Sequence, residues 1–144
     1  MRITSFTDYS LRTLMYLANL PADQLSSIKE VSAFYNISQN HMSKVIAQLA
    51  KCGYIHTIKG KGGGISLAIS PDKIRIGRVI QQLENKLDGV DCLSSNCPLR
   101  PGCKLKIALI KAVESYITTL NEYTLADFTE NNEDISYLLQ LDPT

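Results

Sequence analysis

Three cysteines, Cys92, Cys97 and Cys103, fall within the stretch DCLSSNCPLRPGC in the spacing C-x4-C-x5-C. Thiolates are soft ligands, suited to iron–sulfur clusters and to zinc, and paired thiols can also close reversibly into disulfides. Pro98, Pro101 and Gly102 exclude a regular helix or strand here, so a short, stiff loop must carry the thiols. Three chemistries compete: disulfide, metal centre and redox switch. A structural zinc site would need a fourth tetrahedral ligand, whereas a cluster-free thiol switch would need none. Cys52 stands apart and reads as a small buried apolar residue.

Compartment narrows the choice. MRITSFTDYS lacks the apolar segment of a signal peptide, and no apolar run approaches the ~20 residues that cross a bilayer. These features predict a cytoplasmic protein without a membrane partner, where thiols stay reduced and structural disulfides are rare. A cysteine cluster there reads first as a metal or redox site. No catalytic pair stands out, so an enzyme is not expected.

A second set of residues suggests nucleic acid. The net charge of +1 hides an asymmetry. Residues 1–75 hold nine Lys/Arg against four Asp/Glu, and residues 76–144 hold six against ten. Lys44, Lys51, Lys59 and Lys61 lie in a stretch, Val31 to Pro71, that has no acidic residue. A local basic stretch in a near-neutral chain predicts a phosphate-binding surface in the first half. Gln39 and Asn40 can read adenine edges, while Ser38, His41, Ser43 and Lys44 complete a polar leading edge able to meet bases or phosphates. Lys59 and Lys61, with Gly62 and Gly63, can approach a minor groove or its backbone closely.

The elements that must position these residues are legible from periodicity. At 144 residues and 44% hydrophobic content the chain can support one core. Thr7 is a candidate cap for a helix with Leu11, Leu14, Met15 and Ala18 on one face, and Asp8 falls in its first turn. Ser27 to Glu30 has the form of a capping box, opening a helix that buries Ile28, Val31 and Phe34 or Tyr35. After the short turn at Asn36, Ser38 caps a third helix with Met42, Val45, Ile46 and Leu49 inward. That pair is a helix-turn-helix.

After Gly53 the period changes to that of strands, Tyr54 to Ile58 and Ile65 to Ile69, joined by KGKGGG. The glycine run lacks the layout of a nucleotide-binding loop and does not open a helix. A helix-turn-helix followed by a basic hairpin is a winged helix. The predicted fold class is therefore mainly α with a small β-hairpin wing, plus a long dimerisation helix. Residues 1–72 form the DNA-binding domain. Residues 73–144 hold a helix with Ile76, Val79, Ile80 and Leu83, the cysteine loop at 89–103, the long helix at 104–123 and short C-terminal helices. The long helix carries one stripe of Leu105, Leu109, Ala112, Tyr116 and Tyr123 and a second of Ile110, Val113, Ile117 and Leu120. A helix apolar on two sides must bury both, which predicts a homodimer. Thr124 to Asp127 reads as a capped short helix, and Ile135 to Leu141 as a last apolar segment packing back.

The segments ITSFTDYSLRTLMYLA, HMSKVIAQL, KGKGGGISL, IRIGRVIQQLE and NEYTLADF, with the cysteine loop, together resemble the Rrf-type winged-helix regulators, in particular their nitric-oxide-sensing repressors. The resemblance covers nearly the whole chain. It implies a homodimeric transcription factor that binds a palindromic double-stranded DNA operator. It also implies an iron–sulfur cluster on Cys92, Cys97 and Cys103, which nitric oxide destroys, releasing DNA and derepressing detoxification genes. Three cysteines and one further ligand can hold either a 4Fe–4S or a 2Fe–2S cluster. In other members of the family a histidine three residues after the third cysteine is the fourth ligand, but here that position is Lys106. In the nitric-oxide-sensing members an aspartate at the position of Asp8 reaches across the dimer instead. Arg100, Lys104 and Lys106, with the start of the long helix at Cys103, can offset the charge of an anionic cluster.

Overall fold

The structure, a computed structural model, describes residues 2–130 and 133–140, with the side chains of 135, 136, 139 and 140 outside that description. Helix α1 spans Ser5–Ala18 and is capped by Thr4, whose hydroxyl accepts the Thr7 N–H at 3.4 Å. Thr7 was the expected cap, yet it lies one turn inside, fully buried with Ser10 and Thr13. A tertiary contact moves the start: the Thr4 N–H and hydroxyl both donate to the Glu84 carboxylate, at 2.7 and 3.0 Å. The Ser10 and Thr13 hydroxyls donate to the carbonyls of Phe6 and Tyr9, which makes their burial affordable.

Helix α2 (Ile28–Tyr35) begins at Ser27, whose hydroxyl accepts the Glu30 N–H at 3.1 Å. The Glu30 carboxylate accepts from the neighbouring Ser26 hydroxyl rather than completing a box with Ser27. Val31 is fully buried, whereas Ile28, Phe34 and Tyr35 are half-buried. Asn36 ends α2 in the left-handed region at φ 54°, a conformation that asparagine tolerates better than most residues. Helix α3 (Gln39–Lys51) follows, capped by the Ser38 hydroxyl accepting from the His41 N–H at 3.2 Å. Its Met42, Val45, Ile46 and Leu49 face inward as the periodicity requires. Cys52 caps its C-terminus and is half-buried, not enclosed, with its sulfur 3.7 Å from the Gln48 amide nitrogen.

Strands β1 (Ile55–Ile58) and β2 (Gly64–Leu67) pair antiparallel, from Ile55 opposite Leu67 to Ile58 opposite Gly64. Ser26, ahead of α2, bridges to Ile65 and ties the wing to the helices. Past a 3-10 turn at Pro71–Lys73 come α4 (Ile76–Leu83), α5 (Lys104–Asn121), α6 (Leu125–Thr129) and α7 (Glu133–Gln140). Thr124 and Asp127 cap α6 reciprocally. The segment expected to pack back from Ile135 lies in part outside the described residues.

The core runs from α1 to α6 without a break: Leu14, Val31, Met42, Leu49, Ile74, Val79, Ile80 and Leu125 belong to one apolar cluster that also takes in Ile117. Burial of each such side chain is worth about 1.5–3 kcal/mol, so these contacts, rather than helix propensity, hold the short helices in place. Of the two stripes on α5, one turns Val113 and Ile117 inward. The other leaves Leu105 66% exposed and Tyr123 43% exposed, with Ile107 between the stripes 66% exposed.

Candidate functional site

The polar leading edge of α3 is presented as expected. Ser38, Gln39, Asn40, His41, Ser43 and Lys44 are all exposed, on the side opposite the buried Met42, Val45, Ile46 and Leu49. Two of them already have local partners, since Ser38 caps the helix and the Ser43 hydroxyl donates to the Gln39 carbonyl at 2.8 Å. By chemistry Gln39 and Asn40 could read base edges, and Lys44 could meet a phosphate. The His41 ring meets the Tyr9 ring of α1 edge to face, with centroids 5.8 Å apart. At the wing tip Lys59, Lys61 and Gly62 are exposed. Gly62 adopts φ +77°, and a side chain at Gly63 would collide with the Ile58 carbonyl, so the tip needs glycine at both positions.

The cysteine loop is a chain of turns between α4 and α5. The Asp91 carboxylate accepts the Ser94 N–H at 2.9 Å, and this bond foremost holds its carboxyl below the usual carboxylate range. The Cys97 N–H reaches the Cys92 carbonyl at 3.3 Å, and the Arg100 N–H reaches the Cys97 carbonyl at 3.3 Å. A 3-10 turn at Arg100–Gly102 then delivers Cys103 as the residue that opens α5. At the loop's entrance Gly89 lies so near α5 that a Cβ there would be 3.0 Å from the Leu109 Cβ.

Cys92 is buried, while Cys97 and Cys103 are half-buried, and all three are free thiols. Among the described residues no three Cys, His, Asp or Glu side chains converge closely enough to hold a metal ion. The chain thus places the three thiols on one loop but does not draw them to a point, nor does it bring Asp8 of the same protomer to them. Their chemistry nevertheless fits an iron–sulfur cluster, being soft and unpaired by disulfides. Asp8 stays half-exposed and pairs with Arg12 one turn on, at 2.8 Å between Oδ2 and Nη2 and 3.0 Å between Oδ1 and Nε. Such an exposed i, i+4 pair is worth about 0.3–0.5 kcal/mol, so Asp8 is only lightly held.

Sequence inspection missed Glu84 and Gln82, the polar end of α4. Nothing in their local pattern marks them, because their partners, Thr4 and Tyr54, lie 80 and 28 residues away.

A model of the Rrf2 family, described as iron-dependent transcriptional regulators, matches residues 3–131. The chain belongs to the Rrf2 family. It is 48% identical, over 99% of its length and the whole of the relative, to the HTH-type transcriptional regulator NsrR of Halalkalibacterium halodurans. Among solved structures it is similar to CymR, the global cysteine regulator of B. subtilis, at 26% identity and a TM-score of 0.68 over 90% of this chain and 96% of that one. The fold is also that of T. potens IscR, at 23% identity and a TM-score of 0.71 over 93% and 90% of the two chains. The protein is accordingly an Rrf2 winged-helix transcriptional regulator and not an enzyme. No helix among the described residues is long and apolar enough to cross a membrane.

Proposed function

We propose that this Rrf2 regulator is a homodimeric repressor that senses nitric oxide through an iron–sulfur cluster held by Cys92, Cys97 and Cys103. The observation that carries the reading is the near end-to-end similarity to NsrR, together with three free thiols on one loop between α4 and α5. The fourth ligand is Asp8 of the partner subunit, released from its weak pair with Arg12. A cluster bound here would supply a centre that reacts with nitric oxide.

The chain's own residues supply the rest. Cys92, Cys97 and Cys103 give three soft thiolates, and Arg100, Lys104 and Lys106 bring positive charge around them. Asp8, a hard carboxylate beside soft ligands, is the most easily displaced. Were Asp8 displaced from such a cluster, α1, which packs on α3, would be freed and the spacing of the two recognition helices would change. Those helices must match half-sites about one helical turn, or a multiple, apart on a palindromic operator. Ser38, Gln39, Asn40, His41, Ser43 and Lys44 enter the major groove, while Lys59, Lys61, Gly62 and Gly63 meet the flanking backbone. The exposed stripe of α5 forms the dimer seam.

The test is an anaerobic titration with nitric oxide that follows visible absorbance and operator binding together. Brown protein containing iron and sulfide should bleach in step with DNA release. Colourless or zinc-loaded protein, or DNA release without spectral change, would sink the reading.

A further inference from the structure

The polar end of α4 links the segment that enters the cysteine loop to the start of α1 and to the base of the wing. Glu84 is the residue at which the chain leaves α4, its own N–H donating to the Ile80 carbonyl at 2.8 Å. One of its carboxylate oxygens accepts both the N–H and the hydroxyl of Thr4, the residue that caps α1. Two residues earlier, Gln82 accepts from the Tyr54 hydroxyl, immediately ahead of β1.

Beside these bonds the junction is only partly filled, although α1 and α4 also touch through the core. Thr4, Phe6, Gln48, Leu83 and Lys86 border an open groove of about 530 Å³ where α1, α3 and α4 meet. An open groove transmits little force, because its walls do not interdigitate. The body of α4 is fixed in the core through Val79 and Ile80, both essentially inaccessible. Glu84, the residue that follows α4, thus gives residues 85–103 a polar route to α1 beside the packed one.

We propose that Glu84 is a positioning residue, a polar latch that sets where α1 begins according to the conformation of the cysteine loop. Gln82 is its counterpart toward the wing. This rests on the loop being the sensing element. Thr4 caps α1 four residues before Asp8, so the latch adjusts the same turn that carries the proposed ligand. Glu84 ligates nothing; it acts through Thr4.

The full-length protein tests it with Glu84→Ala and Glu84→Gln, the second retaining an acceptor oxygen for Thr4. Wild type should show an operator affinity that differs between cluster-loaded and cluster-free protein by about 5- to 150-fold, the usual range of coupling. Glu84→Ala should bring that ratio close to one, and Glu84→Gln should recover most of it. A wild-type ratio kept by Glu84→Ala would overturn the latch and leave the sensing role intact.

A second measurement needs no cluster. In cluster-free protein carrying Cys52→Ala, the loop thiols are alkylated with iodoacetamide and amide exchange is read at Thr7 and Asp8. Alkylation should change that exchange with Glu84 present and leave it unmoved in Glu84→Ala. Equal responses in the two proteins, or none in either, would overturn the latch. If wild type shows no cluster-dependent affinity while alkylation is still transmitted through Glu84, the sensing role fails and the latch stands.

Discussion

Asp8 and Glu84 are two carboxylates whose surroundings give them different tasks. Asp8 is half-exposed and, among the described residues, its carboxylate pairs with Arg12 on its own helix, so it can exchange partners at little cost. With Asp8→Ala, cluster-loaded protein should show an altered visible spectrum and an altered response to nitric oxide. An unchanged spectrum and response would remove Asp8 from the ligand set. Glu84 is tied to a distant residue. Partial burial disfavours its charged form, but the Thr4 N–H and the Thr7 and Thr4 hydroxyls outweigh this and hold its carboxyl below the ordinary value. A carboxylate lowered in the folded state stabilises fully above its unfolded pKa, about 4.3, and loses that contribution as pH falls through the folded value. Denaturant midpoints at neutral pH and near pH 3.5 should therefore fall further apart in wild type than in Glu84→Gln. Parallel pH profiles for the two proteins would refute this assignment.

At the scale of elements, the two pieces proposed to face DNA are built by different means. Helix α3 rests on buried Met42, Val45, Ile46 and Leu49, so its polar edge is exposed by default. The wing has a four-residue ladder in each strand, and its tip tolerates no side chain at Gly63. Gly63→Ala should open the hairpin tip and weaken operator binding, with thermal stability nearly unchanged because the tip contributes nothing to the core. Loss of stability without loss of binding would contradict that division of labour. Lys44→Ala should weaken binding across all sequences alike and reduce the salt slope by about one, as removal of a single phosphate contact does.

For the whole molecule, α5 is the helix on which the proposed dimer rests. It turns Val113 and Ile117 into the protomer and leaves Leu105 and Ile107 two-thirds exposed, a cost that a twin helix would relieve. Leu105→Asp combined with Ile107→Asp should give a folded monomer in sedimentation, with winged-helix circular dichroism retained and operator affinity greatly reduced. A dimer of unchanged mass would place the seam elsewhere.

Much of this was written in local chemistry. The inward set of α3 appears in the sequence because helical period and hydrophobicity coincide there. Glycines at the wing tip mark a turn that only glycine can make, and three cysteines interrupted by Pro98, Pro101 and Gly102 mark a loop that carries soft thiols. The two stripes of α5 were legible for the same reason as the face of α3. Local pattern failed where partners are remote. Thr7 looks as good a cap as Thr4, and only Glu84, 80 residues on, settles which begins α1. Glu30 has the spacing of a capping box yet bonds Ser26 instead.

The sequence by itself determined the element types, the exposed polar edge of α3 and the three thiols on one loop, since each depends on near neighbours along the chain. The tertiary structure alone decided which stripe of α5 stays uncovered, that the loop thiols form no metal-holding group among the described residues, and that the residue following α4 is fastened to the cap of α1. Those outcomes depend on which surfaces meet after the chain has closed on itself, and no local period encodes that.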